Sequence, residues 1–257
     1  MAKLSKLSKM IATSRKNQVA EEFAEDLAYC IEQVNKRTYI PSKSFKPSGI
    51  SGCKRSLYYE LSGYYPDIEP PDYALTGICE SGTDRHETIQ NYVMRMKNYH
   101  IDCEWIDVEQ YIKENNIPDV TVISQQGNET KLYSSKYNLR FLCDGLIKYK
   151  GEYYILEIKT ESANKFSQHT EPWAEHIQQA TCYSMVLKVP RVMFLYENRD
   201  VCTKKGMLVT VTDLMIKTVE DIIWDVTDYV LDEILPPKEE NKCKYCKYKN
   251  QCRKDGE

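Results

Sequence analysis

The chain has 257 residues, enough to bury one substantial core, and length alone allows one large domain or two small ones. Charged residues make up 28% and hydrophobic residues 42%, a globular balance that excludes a disordered chain; no apolar run approaches the roughly 20 residues that a membrane helix needs. The formal net charge of -3 speaks against a uniformly basic nucleic-acid binder, so the distribution of charge matters more than its total.

The ends are basic and the middle is acidic. Lys3, Lys6, Lys9, Arg15 and Lys16 lie at one end, and Lys242, Lys244, Lys247, Lys249, Arg253 and Lys254 at the other. Such runs are either solvated faces or phosphate-contacting patches. The start, Met1 to Lys6, lacks the continuous apolar core of a secretory signal, and the expected location is a reducing cytoplasm.

Helical spacing of Val19, Phe23, Leu27, Ile31 and Val34 predicts a long amphipathic helix over residues 17–37. A loop rich in proline and serine follows over 41–51, then a short helix over 53–61, then a loop with three prolines over 66–72. Ser81-Gly82-Thr83-Asp84 reads as a helix start, and Ile89, Tyr92, Val93 and Met96 as its inward stripe, with His86 on the same stripe. From about 104 to 160 the pattern is strand-like, with a hairpin tip over 125–128. Helix returns over 171–188, strands are expected over 191–196 and 207–212, and Asp213 is read as the cap of a last long helix. No linker forces a division, so the expectation is a single domain, with the N-terminal helix over 1–40, a core over 50–235 and a C-terminal cysteine segment over 236–257.

The most telling chemistry lies in two adjacent segments. Residues 139–149 and 153–160 read as antiparallel strands joined by Lys150-Gly151. If those two residues are the whole loop, Tyr149 pairs with Glu152, and counting back sets Asp144 opposite Glu157. Like charges facing each other destabilise a sheet, and apolar neighbours make an unpaired charge costly, so a bound cation would resolve the conflict. Glu157 and Lys159 share a face because strand side chains alternate. Carboxylate oxygens suit Mg²⁺ or Mn²⁺. A lone Glu-x-Lys is ordinarily a solvated face; the opposed aspartate argues otherwise.

His86, on a mostly buried helical stripe, needs a partner, and a metal beside the carboxylates is one. Gln179 and Tyr183, four apart, project from one helical face, with His176 a turn earlier. Six cysteines, Cys30, Cys79, Cys103, Cys143, Cys182 and Cys202, sit singly in apolar patterns and read as packing. Cys243, Cys246 and Cys252 follow a proline break with the spacing C-x2-C-x5-C. Three thiolates are one short of a tetrahedral set, and Cys53, flanked by Lys54 and Arg55, is the best fourth. Zinc and an iron-sulfur cluster both fit four cysteines. A site joining Cys53 to the trio would close nearly the whole chain, which describes a staple rather than a reaction centre.

Taken together these residues resemble the PD-(D/E)xK nuclease superfamily, in particular its RecB-like branch with an iron-sulfur staple, which includes CRISPR-associated adaptation exonucleases, the AddB nuclease domain and small phage exonucleases. Gly82 and His86 match G-x-x-x-H, Asp144 and Glu157-Ile158-Lys159 match the acidic motif, Gln179 and Tyr183 match Q-x-x-x-Y, and Cys53, Cys243, Cys246 and Cys252 match the split cluster. Cys143 stands where the superfamily name has proline. The resemblance covers residues 50 to 253.

It implies an α/β restriction-endonuclease-like core, with a mixed central sheet flanked by helices, and a cysteine-stapled C-terminal region. It further implies a Mg²⁺ or Mn²⁺ ion held by His86, Asp144, Glu157 and the Ile158 carbonyl, with Lys159 acting on the water and Gln179 and Tyr183 in support. A [4Fe-4S] cluster is implied at the cysteines, zinc being the alternative. The expected activity is a DNA exonuclease, 5′ to 3′ on single strands or free ends, with Lys54 and Arg55 near the DNA. Recombination, repair or CRISPR-adaptation proteins, or a second copy of the chain, are the expected partners. A non-catalytic DNA-binding or scaffold subunit and a structure-specific endonuclease are the competing readings.

Overall fold

The computed structural model describes residues 2–36, 39–67, 72–244 and 246–256, with side chains from residue 17 onward. The chain divides into two compact units, one of residues 1–38 and 68–81, the other of 39–67 and 82–257.

In chain order the helices and strands are α1 (Ala2–Val34), α2 (Lys54–Leu61), α3 (Tyr73–Arg95), β1 (Cys103–Ile106), α4 (Val108–Glu114), β2 (Val120–Gln126), β3 (Glu129–Ser134), β4 (Leu139–Cys143), β5 (Gly145–Tyr149), β6 (Glu152–Glu161), α5 (Ala163–Gln168), α6 (Ala174–Leu187), β7 (Arg191–Asn198), β8 (Lys204–Thr210), α7 (Asp213–Leu231) and α8 (Lys249–Lys254). The fold is mixed α/β.

In the smaller unit, the apolar residues Val19, Phe23, Leu27 and Val34 of α1 are exposed. The basic side chains at Lys3, Lys6, Lys9, Arg15 and Lys16, and part of the loop expected over 66–72, lie outside the described residues. Helix α3 begins eight residues before the start expected at Ser81. Its first turn is capped by Asp72, whose Oδ1 accepts from the Leu75 amide at 2.6 Å, so the serine and glycine read as a cap fall inside the helix.

The larger unit is built on a five-stranded sheet of order β1-β5-β6-β7-β8. Only β6 and β7 run parallel; the helical crossover of α5 and α6 joins them, as a parallel connection demands. Ile89 of α3 packs one face of the sheet with Cys103, Ile147, Leu156 and Ile158. On the other face Ile155, Val192, Phe194 and Tyr196 join a core that includes Ala180, Tyr183 and Val186 of α6 and Val219, Ile223 and Val226 of α7. Tyr92 does not share the inward stripe of α3: it is 64% exposed, while Ile89 and Val93 turn toward the sheet.

A second sheet of order β2-β3-β4 lies beside the first. Its β2–β3 hairpin turns at Gly127-Asn128, inside the tip expected from the sequence. The segment read as one strand over 139–149 is two strands. β4 pairs with β3 and β5 pairs with β6 and β1, and the single residue between them is Asp144. Lys150 (φ 50°) and Gly151 (φ 83°) form the two-residue turn, with Tyr149 opposite Glu152, and this pairs Gly145 with Leu156. Helices α4 and α5 were not legible as helices. Seven and six residues long, they are too short to show a helical period, and in α4 the side chain of Asp107 caps the Gln110 amide at 2.7 Å.

Candidate active site and cysteine cavity

Asp144 is the residue at which the chain leaves one sheet for the other. Continuing the β5–β6 register by one step sets Glu157 opposite it; continuing the β3–β4 register, in which Thr130 faces Cys143, sets Glu129 opposite it on the other side. Its carboxylate Oδ2 accepts from the Ile158 amide at 2.8 Å, and its carbonyl accepts from Gln90 Nε2 at 2.7 Å. Helix α3 thus reaches the same point that both sheets reach.

His86 Nδ1 lies 3.5 Å from Asp144 Oδ2 and 3.6 Å from Glu129 Oε1. Burial works against charge on this imidazole, but Asp144 and Glu129 outweigh it and raise its pKa to about 10. Among the described residues, His86, Glu129 and Asp144 offer ligand atoms within 4.8 Å of one another.

Glu157 is 1% exposed. Its Oε1 lies 2.6 Å from Lys159 Nζ, and its Oε2 is buried without a hydrogen-bond partner. Burial first, and the charge of Asp144 second, push its pKa up to about 7, against the pull of Lys159 and His86. An orphaned carboxylate oxygen facing a second acid is a donor set with capacity to spare for a hard cation, so the residues fit a divalent metal.

Lys159 Nζ also donates to Gln179 Oε1 at 3.2 Å, and Gln179 Nε2 donates to the Tyr183 hydroxyl at 2.6 Å. The phenol is fully buried, which raises its pKa, and its ring packs on Phe141 at 5.0 Å. The pair four apart on α6 thus positions the lysine. His176, a turn earlier, meets the Tyr196 hydroxyl at 2.8 Å, and burial, then the charge of Lys159, lower its pKa to about 4. It is neutral near pH 7.

Two further contacts were not visible in the sequence. Arg85 makes a bidentate pair with Glu197 of β7 at 2.7 and 2.8 Å, and Lys204 adds a third contact to the same carboxylate, which is 0% exposed. Glu129 was missed as well, because its register runs through the β3–β4 turn, whose length the sequence does not declare.

The four cysteines assembled from the two chain ends, Cys53, Cys243, Cys246 and Cys252, line one cavity of about 140 Å³ together with Arg55, Lys238, Lys242, Lys249 and Arg253. A guanidinium nitrogen of Arg55 donates to Cys252 Sγ at 3.5 Å, and Nε donates to the Pro236 carbonyl at 2.7 Å. Lys54 pairs with Asp225 of α7 at 2.5 Å, and its amide donates to Glu239. Both cations beside Cys53 tie α2 to the C-terminal half of the chain. Of the six cysteines read as packing, Cys103, Cys143 and Cys182 are buried, while Cys30, Cys79 and Cys202 are exposed.

No protein-family model matches the sequence, and no curated protein does. Among solved structures, SSO0001 is similar at 16% identity and a TM-score of 0.45, over 90% of this chain and 96% of that one. LHK-Exo, an alkaline exonuclease from Laribacter hongkongensis, is similar at 12% identity and a TM-score of 0.43, over 75% and 90% of the two chains. Its complex with dAMP gives 14%, 0.43, 74% and 89%. Likeness at this level carries no inference about what this chain does. Among the described residues no helix is long and apolar enough to cross a membrane.

Proposed function

We propose that this chain is a metal-dependent deoxyribonuclease of the PD-(D/E)xK type, which hydrolyses phosphodiester bonds from the free ends of single-stranded DNA. The observation that carries the reading is Asp144 facing Glu157, with one Glu157 oxygen orphaned in the interior and the other held by Lys159.

His86, Asp144, Glu157 and the Ile158 carbonyl would hold Mg²⁺ or Mn²⁺. When bound, such an ion raises the hydroxide fraction of its water and offsets charge on the phosphate. The protein's own part is placement. The Ile158 amide fixes the rotamer of Asp144, and Gln90 fixes its backbone. Lys159, shared between Glu157 and Gln179, brings an ammonium to the same pocket, where it orients the attacking water and binds a phosphate oxygen. Tyr183 holds Gln179 and so acts on the lysine at one remove.

The cysteine cavity serves structure in this reading. The four cysteines share the lining of a cavity of about 140 Å³ with five cations. Four cysteines suit a [4Fe-4S] cluster, and zinc is the alternative. Anaerobically purified protein is expected to be brown and to contain iron; colourless protein with one tightly bound zinc overturns the cluster assignment.

The decisive experiment follows end-labelled single-stranded DNA in Mn²⁺. The wild type is expected to degrade it, EDTA to stop the reaction, and Lys159→Ala to slow it by at least roughly 100-fold, the scale of a positioned proton-handling group. Circular single strands are expected to resist. Equal cleavage by wild type and variant would end the catalytic assignment, and cleavage of circles would make the enzyme an endonuclease.

A further inference from the structure

Glu129 lies outside the hairpin that carries the other acids. It comes from the first position of β3, in the three-stranded sheet, where the ladder sets it across from Asp144. Its side chain is 22% exposed, and its Oε1 is 3.6 Å from His86 Nδ1, which is itself 3.5 Å from Asp144 Oδ2. The three ligand atoms fall within 4.8 Å of one another. Two of those separations, 3.5 and 3.6 Å, fall within the roughly 4.4 Å that oxygen and nitrogen ligands can span when each lies about 2.0–2.2 Å from one small divalent cation.

Acids gathered around an imidazole can be an ion pair and nothing more. The independent sign of a missing cation is on the neighbouring strand, where Glu157 Oε2 is buried without a partner. Asp144 is the common member of both groups: the two ladders, each continued by one step, set it opposite Glu129 on one side and Glu157 on the other.

We infer that Glu129 is a ligand of the divalent cation, so that the site is closed by carboxylates from both sheets, Glu129 from one and Glu157 from the other, with Asp144 between them. This rests on the nuclease reading above and adds to it a residue and a consequence. Three carboxylates and one imidazole bind a divalent ion more tightly than two carboxylates and one imidazole, because ligand charge sets affinity. The ion also becomes a tie between the two sheets.

The test is binding of MnCl₂ alone, followed by electron paramagnetic resonance of free Mn²⁺, with no DNA present. Glu129→Gln is expected to weaken binding by at least roughly tenfold, in the range seen when a residue that orders a metal site is lost. Asp144→Asn is expected to abolish it, and Glu87→Gln, an exposed acid nearby on α3, to leave it unchanged. Hydrogen exchange in the β2–β3 hairpin gives a second readout: Mn²⁺ is expected to slow it in the wild type and not in Glu129→Gln. Should the glutamine variant fold poorly, as judged by its metal-free urea midpoint, Glu129→Asp keeps the charge, withdraws the oxygen by one methylene and is expected to show the same weakening.

Wild-type affinity in both Glu129 variants, with Asp144→Asn inert, overturns this inference and leaves the nuclease reading standing. A wild type that takes up no Mn²⁺ overturns both.

Discussion

Asp144 is held from three directions: its carboxylate by the Ile158 amide, its carbonyl by Gln90, and its flank by Gly145. The glycine is required by what lies over it. A Cβ at residue 145 would meet Trp105 Cη2 at 2.5 Å, nearer than real side chains approach, so the indole of β1 occupies the space a side chain would fill. Gly145→Ala is therefore expected to destabilise the protein by about 1–3 kcal/mol, through displacement of the indole. A urea unfolding curve measures the loss, and a tryptophan emission spectrum unchanged from wild type would show that Trp105 had not moved.

The register of the β5–β6 hairpin was legible at this scale, because a two-residue turn fixes which residues pair. Glu129 was not, since its partnership depends on the longer β3–β4 turn, whose length the letters do not declare.

Helix α3 is attached to the sheets at three points on two successive turns: Arg85 to Glu197, His86 to Asp144 and Gln90 to the Asp144 carbonyl. The Arg85 clamp lies one residue from the imidazole and sets the height of the helix against β7. Arg85→Gln leaves the buried Glu197 with Lys204 as its remaining cation, and is expected to cost about 2–3 kcal/mol. The double variant Arg85→Gln, Glu197→Gln is expected to recover part of that loss, since it removes the buried charge as well. A double variant less stable than Arg85→Gln alone would show that the pair is not the source of the effect.

Elements with a strong period were legible in the sequence, among them α6, α7, β7 and the β5–β6 hairpin. The division of the 139–149 segment between two sheets was not. An unbroken apolar and aromatic run reads as one strand, and nothing in it marks that its hydrogen-bonding partners change at Asp144.

Across the larger unit, the early and late parts of the sequence meet at several points, two of which bear on stability. One meeting is the cysteine cavity. The other is Glu60 of α2, a buried carboxylate that accepts from Tyr39, Ser42, Lys247 and Tyr248. Burial alone would raise its pKa, but the hydrogen bonds from Lys247, Tyr39, Tyr248 and the Ser42 amide outweigh it and hold the carboxyl well below its ordinary 4.5. A carboxyl depressed in the folded state lends stability that is fully present above its unfolded value and is lost as pH falls through the folded one. The stability of the wild type is thus expected to decline below about pH 4.5, and that of Glu60→Gln to decline less steeply; parallel curves from urea titrations between pH 3 and pH 7 would remove Glu60 from the account.

The cysteines act at the same scale. Cys246→Ala is expected to lower yield and melting temperature while the rate per folded, Mn²⁺-loaded molecule stays within about twofold of wild type, as suits a staple remote from the chemistry. A folded variant that cuts DNA much more slowly would assign the cavity a part in cleavage.

The chain passes from β4 of the small sheet to β5 of the large one through a single residue, and that residue is itself an acid of the candidate centre. The tilt between the sheets and the aperture among the carboxylates are therefore a single mechanical coordinate. In the proposed reading, whatever leans on the β2–β3 hairpin, whether a bound strand, a crowding neighbour or an altered turn at residues 135–138, would adjust the grip on the ion, like the handle of a pair of tongs.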